Sequence, residues 1–510
     1  MTDFRAISDN RRSAKAIDYI TTVARRRAVP PAVPDGIVSQ GRNAWRVGRA
    51  DKAAFLVDGA TYFAALDQAV RQARHSIWII GWDFDPDIRL RPNASSQTLR
   101  ELLLELADDN PSLQIRILVW GMGPIYSGKT LKLFKESDFS AHPQINLRFD
   151  LRHPLRGCHH QKLVSVDDSV GFLGGIDLTA RRWDEPDHRV DNPHRKTPDG
   201  VPYGPVHDMQ AMISGEAGRL IGEVCRRRWK QATGEAIVAS PEGAVPWPPA
   251  IPPEMEHVKA AIALTEPGLI GKRGRFEAFR LTRDAINAAK KYIYIETQYL
   301  ASFGVARAIA KRLREADGPE IAVLVTKSSH GLIEKLTMGN NRDRLIRRLK
   351  RIDRHDRLRV MYPVVPDGQD GEQEVIIHSK VVIVDDHFIR IGSSNLNNRS
   401  EGLDTECDLA IEAESDVHRR AIASLRYRLI AEHLDATPEA VRDMERERRS
   451  LLATLEALNF RKRGLRHFAV DVFRGQTSPM IGTALVDPRR PYWLLQKLRL
   501  RIGRLISVIF

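Results

Sequence analysis

The chain contains one long segment twice, and this duplication restricts its fold more than any other feature of the sequence. HHQKLVSVDDSVGFLGGIDL begins at His159 and IHSKVVIVDDHFIRIGSSNL begins at Ile377, so His160 and His378 hold equivalent positions 218 residues apart (378 − 160). In each copy an amphipathic helical pattern precedes a short apolar strand pattern. Helices that alternate with short buried strands predict an α/β fold built from two similar lobes.

The repeat and the composition between its copies predict how the chain is divided. Six prolines lie between positions 241 and 253, a density that neither a helix nor a central strand tolerates. Each lobe is expected to be an α/β/α sandwich, with the active site at the seam between the two. The predicted regions are an N-terminal arm at 1–50, a first lobe at 51–240, a proline-rich linker at 241–257, a second lobe at 258–435, and a helical, basic C-terminal extension at 436–510.

Net charge and hydropathy indicate which partners and which cellular location to expect. The formal net charge of +14 favours an anionic partner, whether nucleic acid, a membrane surface or a phosphorylated substrate. No stretch approaches the roughly 18 uninterrupted apolar residues of a spanning helix, and residues 1–27 lack the apolar stretch of a secretory signal. We therefore expect a cytoplasmic protein that associates peripherally with a membrane. The alternative is export by a route that needs no cleaved signal.

Each copy of the repeat carries His-x-Lys followed by four residues and Asp. Side chains two apart on a strand point the same way, so each histidine and its lysine share one face. Two such halves, related by an approximate twofold axis, would bring two imidazoles and two ammonium groups to one cavity. That set suits a phosphodiester: a neutral histidine attacks phosphorus, a protonated one supplies the leaving oxygen's proton, and the lysines offset charge. The residues are His160, Lys162, Asp167, His378, Lys380 and Asp385. This chemistry requires no metal, and we expect neither metal ligands nor another cofactor.

These paired motifs resemble the HKD motifs of the phospholipase D superfamily, over about Ala53 to Leu434. GGIDL at 174–178, RWD at 182–184 and GSSNLNNRS at 392–400 resemble extensions found in the phosphatidylcholine-hydrolysing branch. The resemblance implies a single-chain bilobal fold and a ping-pong mechanism. His160 would form a phosphatidyl-histidine, with His378 as general acid, and water or a primary alcohol would then accept the phosphatidyl group.

The resemblance also implies roles for residues outside the two histidine–lysine pairs. Asp167 and Asp385 are mostly structural in the family, and a different acid in each half, here Asp208 and Glu406, orients the histidine. Asn395 would donate to the phosphate, and Asp177 holds the equivalent place in the first copy. Gly175 and Ser393 complete the predicted substrate contacts on the glycine-rich strands.

Three departures from the family pattern bear on these expectations. Val206 stands where the family has a tryptophan, and Thr297 where it has an asparagine. The family's calcium-binding and phosphoinositide-binding modules have no counterpart in the short stretch before the first lobe. Calcium or phosphoinositide dependence is therefore not expected.

Two further features have competing interpretations. Residues 492–510 follow a basic amphipathic helical pattern, which suits either an anionic bilayer surface or packing on the protein with a solvated basic face. Four aromatic residues near the motifs could contact a choline group by cation–π attraction or belong to the core. They are Trp82, Phe84, Trp183 and Tyr299.

The predicted function is hydrolysis of phosphatidylcholine, or a related glycerophospholipid, to phosphatidic acid and free headgroup, with headgroup exchange to alcohols. The expected partners are a phospholipid membrane surface and a water or alcohol acceptor, without nucleic acid; the oligomeric state is left open. Three alternatives are a cardiolipin synthase-like phosphatidyltransferase, a nuclease of the same superfamily, and a non-catalytic membrane-binding protein.

Overall fold

The computed structural model describes residues 36–121, 138–154, 156–241, 245–268, 273–328, 339–480, 483 and 487–491. By its internal contacts the chain divides into a short unit, Met1–Ile37, and a large one, Val38–Phe510. Only residues 36 and 37 of the short unit are described, and every element named below belongs to the large unit. Most of the predicted arm, residues 242–244 of the predicted linker, and the tail at 492–510 lie outside the described residues.

The strands of the first lobe form one mixed layer, apart from a two-residue strand that pairs with the second lobe. They are β1 (Arg46–Val57), β2 (Ser76–Gly81), β3 (Gln114–Trp120), β4 (Ile145–Asp150), β5 (Leu163–Val166), β6 (Val170–Gly174), β7 (Val206–His207) and β8 (Met209–Ser214). Their order is β4-β3-β2-β5-β6-β8-β1; β2, β3 and β4 are parallel, and the other neighbours are antiparallel. The parallel strands are rich in buried Ile, Leu and Val, as expected where helices cover a sheet.

The second lobe repeats this order. Its strands are β9 (Met255–Glu266), β10 (Arg275–Phe276), β11 (Tyr292–Thr297), β12 (Glu320–Val325), β13 (Leu358–Pro366), β14 (Glu372–Glu374), β15 (Ile376–Ile377), β16 (Val381–Val384), β17 (Phe388–Gly392), β18 (Glu406–Glu412) and β19 (Gly464–His467). The order β13-β12-β11-β16-β17-β18-β9 matches that of the first lobe strand for strand. The predicted repeat of two similar α/β lobes is therefore confirmed.

The two lobes share one continuous sheet. β1 and β9 are equivalent strands, and they pair with each other in antiparallel register from Arg46↔Ile262 to Ala53↔Met255. β1 and β9 are each the last strand in the order of their own lobe. An approximate twofold axis between the lobes therefore brings these two edge strands together. β9 begins at Met255, so the last three residues of the predicted linker belong to this strand.

Helices cover the sheet, and further helices lie in the C-terminal extension. They are α1 (Asp58–Val70), α2 (Leu99–Asp109), α3 (Asp138–Ala141), α4 (Gly215–Thr233), α5 (Glu277–Ala288), α6 (Phe303–Arg314), α7 (Asn340–Ile352), α8 (Asp416–Leu434), α9 (Pro438–Arg448) and α10 (Leu451–Leu458). The extension is not purely helical, because β19 pairs with the edge of β13 and gives the sheet a further strand. Among the described residues, no helix is both long and apolar enough to cross a bilayer.

Candidate active site

Two short backbone pairings carry the site residues across the seam. β7 pairs in parallel with β15, so that Ile377 lies opposite His207. His159 and Thr405 form the equivalent parallel bridge. In the first pairing, the residues that follow are His378 and Asp208. In the second, they are His160 and Glu406.

Each catalytic-type histidine therefore contacts the acid of the opposite half. His160 Nδ1 lies 3.0 Å from Glu406 Oε2, and His378 Nδ1 lies 2.6 Å from Asp208 Oδ2. The family likeness implied one orienting acid in each half. The structure adds that each acid contacts the histidine of the other half. A carboxylate on Nδ1 fixes the ring and leaves Nε2 as the reacting nitrogen.

Glu406 and Asp208 are themselves held in place. The hydroxyls of Ser393 and Ser400 each donate to Glu406 over 2.6 Å, and the Met209 amide donates to Asp208 over 2.8 Å. The equivalent of Ser393 in the first half is Gly175, where an added Cβ would lie 2.0 Å from Asp208 Oδ1. Ser393 thus supports one acid and Gly175 leaves room for the other, while their contacts with substrate stay a prediction.

The two lysines have different partners. Lys162 Nζ lies 3.1 Å from Asp177 Oδ2 and donates to the His160 carbonyl. Lys380 Nζ lies 3.1 Å from His378 Nδ1 and also donates to the His378 carbonyl. Asn395 replaces Asp177 in the second half, and its buried Oδ1 has no hydrogen-bond partner among the described residues. The second lysine thus lacks the carboxylate that neutralises the first.

Burial and the lysines determine how the histidines ionise. Burial, followed by Lys162 and Lys380, holds the pKa of His160 well below its usual range. Burial and Lys380 lower the pKa of His378 to about 3, against the opposing effect of Asp208. Since Lys380 comes from the opposite half to His160, the two halves act on one another within a single site. In the absence of an anionic ligand both imidazoles are neutral.

The other groups respond to the same environment. Burial raises the pKa of Glu406 to about 8, although the two serine hydroxyls oppose the rise. Burial would also raise the pKa of Asp208, but Lys380 and His378 outweigh it and lower the pKa to about 2. Burial lowers the pKa of Lys380 to about 8, and Lys162 adds to the effect. The site therefore holds groups that gain or lose protons near neutral pH.

Asp167 and Asp385 are not brought to the histidines. Asp167 accepts the backbone amides of residues 74–76 at the start of β2, and Asp385 those of residues 290–292 at the start of β11. Each lies seven residues beyond its histidine, roughly 20 Å along an extended strand. The structure places both as strand caps and not among the catalytic groups, in agreement with the structural role that the family likeness implied.

The aromatic residues divide into core and site-facing groups. Phe84 is buried and stacks on Phe139, and Trp183 is buried as well. Trp82 is half-buried beside Trp120, at 5.6 Å between ring centroids, and its amide donates to Asp177. Phe84 and Trp183 are core residues, whereas Trp82 lies next to the partner of Lys162.

Arg182 is a third cation at the site that the motifs alone did not single out. Its charge contributes to lowering the pKa values of His378 and Lys380, so it lies near the second half's pair. Its buried Nε has no hydrogen-bond partner among the described residues, and no described carboxylate pairs with it. Its place in the RWD stretch is the sequence signal that could have identified it.

A buried group of imidazoles and carboxylates lies directly behind the second half-site. Its donor atoms approach within 4.8 Å of one another in two overlapping sets, Asp58, His188, His207 and Glu432, and His207, Glu296 and His433. Carboxylate and imidazole donors of this kind could hold a divalent cation in place of the protons on the imidazoles. Ser379, between His378 and Lys380, donates to Glu296 over 2.7 Å and joins the group to the site. No sequence pattern predicted this set, because only the fold collects positions between 58 and 433.

Two sequence profiles of known protein families match this chain, one in each half. The sequence profile described as "Phospholipase D" matches residues 69–244, and the profile described as "Cardiolipin synthase, PLD-like domain" matches residues 282–426. Phospholipase D A from Dictyostelium discoideum is 23% identical over 460 residues, which cover 75% of this chain and 35% of that protein. The chain thus spans about a third of the length of that relative.

Two further comparisons extend the likeness. Cardiolipin synthase from Halalkalibacterium halodurans is 25% identical over 360 residues, covering 69% of this chain and 61% of that protein. The crystal structure of phosphatidylserine synthase from Haemophilus influenzae matches with a TM-score of 0.50 at 14% identity, covering 81% of this chain and 96% of that chain. At this identity the structural likeness establishes the fold alone.

Proposed function

The chain belongs to the phospholipase D superfamily, and we propose that it hydrolyses the distal phosphodiester of phosphatidylcholine, or of a related glycerophospholipid, to phosphatidic acid and free headgroup. The observation that carries the proposal is the exchange of acids across the seam, His160 with Glu406 and His378 with Asp208. Each motif histidine takes its acid from the opposite half, so both lobes are needed for one site.

The first step uses the two histidines in different protonation states. The Nε2 lone pair of His160 attacks phosphorus while the bond from phosphorus to the headgroup oxygen breaks. His378, protonated on Nε2, transfers that proton to the departing oxygen. A bound phosphodiester brings a negative charge into the cavity and raises the pKa of His378, which is only about 3 without it. Substrate binding thus prepares the general acid.

The second step reverses the roles. His378, now neutral, removes a proton from water or from a primary alcohol, and the resulting oxygen attacks the phosphohistidine. The bond between phosphorus and His160 breaks, and phosphatidic acid or the exchanged phosphatidyl alcohol leaves. Lys162 and Lys380 offset charge on the non-bridging oxygens in both steps, and Asn395, Asp177 and Arg182 complete the polar wall.

The experiment is incubation of the purified protein with phosphatidylcholine vesicles in the presence of ethanol. Choline and phosphatidylethanol are the expected products, since ethanol competes with water for the phosphohistidine. His160→Ala and His378→Ala should each abolish both products. His387→Ala should not, because His387 directly precedes β17 and contacts Glu412. If the folded protein releases neither compound but cleaves DNA, the nuclease alternative replaces this proposal.

A phosphatidyltransferase that uses a lipid alcohol as acceptor is a second candidate. It is favoured by the profile match over residues 282–426 and by the likeness to a bacterial cardiolipin synthase. The two functions differ only in the acceptor, so phosphatidylglycerol vesicles without ethanol separate them. Cardiolipin formation in excess of phosphatidic acid would favour the transferase. On either proposal the protein works at a membrane surface.

A further inference from the structure

A cavity of about 140 Å³ lies on the second lobe, behind the turn that follows the second motif. Arg280, Arg283, Arg489, Arg490 and Glu401 provide its charged groups, so four guanidinium groups face one carboxylate and leave a net charge of +3 (4 − 1). Phe276 and Phe279 provide its apolar wall. A pocket of this size has room for a phosphate group and a few water molecules.

Three of the four arginines are held in place before any ligand binds. Arg283 and Arg489 lie over the same ring, 5.9 and 5.8 Å from the Phe279 centroid, and Arg280 donates to the Arg42 carbonyl over 3.1 Å. Arg489 also pairs with Glu401, whose other oxygen accepts the Gly304 amide. Aromatic contact occupies the face of a guanidinium group, and the nitrogens at its planar edge match the oxygens of a phosphate. Arg489 already uses part of its edge on Glu401, and Arg283 Nη2 lies 3.7 Å from Asp284 Oδ1.

The segment that carries Arg489 and Arg490 is anchored on the catalytic side of the lobe. Asp487 accepts from the Asn398 side chain over 2.8 Å and from the Arg399 amide over 3.1 Å. The neighbouring Ser400 donates to Glu406, which contacts His160. The cavity is thus built on the same turn that supports the orienting acid, and it is fixed relative to the site.

We propose that this cavity binds the phosphate of an anionic phospholipid headgroup at the surface where the substrate lies. Two observations favour a lipid over a soluble phosphate. The sequence after Asp487 contains basic and apolar residues and no acid, so the chain that leaves the cavity is suited to an anionic interface. The net charge of +14 also draws the protein toward such a surface. The choice of a lipid source rests on the proposed function, whereas the phosphate chemistry of the cavity does not.

The test measures binding rather than turnover, so its outcome does not depend on the enzyme's activity. The full chain carrying His160→Ala is sedimented with vesicles of phosphatidylcholine alone or with added phosphatidylglycerol. The paired variant Arg280→Gln/Arg283→Gln is compared with the control Arg419→Gln/Arg420→Gln, which removes two exposed arginines from α8 and leaves the net charge matched. A parallel calorimetric titration uses glycerol 3-phosphate.

An arginine near an anionic surface contributes about fivefold in affinity, so losing Arg280 and Arg283 should weaken binding to the anionic vesicles by about 25-fold. The control pair should bind like the parent chain. Loss of glycerol 3-phosphate binding alone, with unchanged vesicle binding, would overturn the lipid assignment and leave a soluble phosphate site. Equal behaviour of both pairs in both titrations would overturn the site itself. Because all four substituted residues are exposed, thermal unfolding should be unchanged and serves as the folding control.

Discussion

Replacing Glu406 by glutamine should slow turnover without unfolding the protein. As His160 attacks phosphorus its ring becomes positive. This charge favours ionisation of Glu406, whose pKa is about 8 before the attack, and the resulting carboxylate lies 3.0 Å from Nδ1. A charge-assisted hydrogen bond contributes about 1.5–3 kcal/mol, and the Coulomb energy of two charges about 4 Å apart at an effective dielectric constant of about 20 is about 4 kcal/mol. A loss of about 2–4 kcal/mol in the transition state predicts a decrease in kcat of about 30- to 1,000-fold.

The stability of the variant should change much less. Glutamine has the same shape as glutamate, and the hydroxyls of Ser393 and Ser400 can rotate to accept from its amide. We expect the free energy of unfolding to fall by less than about 2 kcal/mol, the cost of weakening one or two buried hydrogen bonds. Glu412→Gln is a matched control, because Glu412 ends the same strand and contacts His387 at 3.2 Å, away from the site.

The assay combines choline release with the ¹⁵N chemical shifts of His160. Above about pH 8, where Glu406 is ionised, the proton in the parent protein should reside on Nδ1, facing the carboxylate, and in Glu406→Gln the ring should lose this preference. The Glu412→Gln control should retain full turnover. Turnover of Glu406→Gln within threefold of the parent, in a protein that unfolds normally, would refute the reasoning, since the carboxylate would then be unnecessary for attack.

Three other predictions follow from the site. Burial lowers the pKa of Lys380 to about 8, so kcat/KM should fall as pH rises through about 8 and this ammonium loses its proton; Lys380→Arg should move the alkaline limit of the pH–rate profile above pH 10, and an unmoved limit would assign it to another group. Arg182→Gln should lower kcat/KM about tenfold, a loss of about 1.4 kcal/mol, and should also raise the pH of the same limit, because a charge that lowers the Lys380 pKa is removed. Asp167→Asn and Asp385→Asn should each lower the free energy of unfolding by about 1–3 kcal/mol in urea titrations while kcat stays within about twofold, because both carboxylates accept only backbone amides at strand starts; a large loss of kcat in a stable variant would return them to the catalytic group.

Much of the architecture could be predicted from the sequence because it is encoded locally. The equivalent positions of His160 and His378 predict two lobes, and the strand period places Lys162 and Lys380 on the same faces as the histidines. The acids Asp208 and Glu406 were found through the family likeness, since nothing in their own spacing points to the histidines.

The remaining features depend on contacts between distant segments. The exchange of acids requires the pairing of β7 with β15, and such long-range strand pairing leaves no periodic signal in either segment. The joining of both lobes through β1 and β9 is invisible for the same reason. The buried group around His207 and Glu296 draws residues from both halves, and no local pattern links their positions.

The central claim is that one phosphorus atom is shared by a nucleophile from the first half and a proton donor from the second. A phosphatidyl ester of p-nitrophenol tests it directly, because nitrophenolate leaves without a general acid. In His378→Asn we expect a single-turnover burst of nitrophenol and a phosphatidyl adduct on the peptide that contains His160, detected by mass spectrometry after rapid quenching. In His160→Asn we expect neither burst nor adduct. Steady turnover by both variants would mean that each histidine works alone, and the shared site would be contradicted.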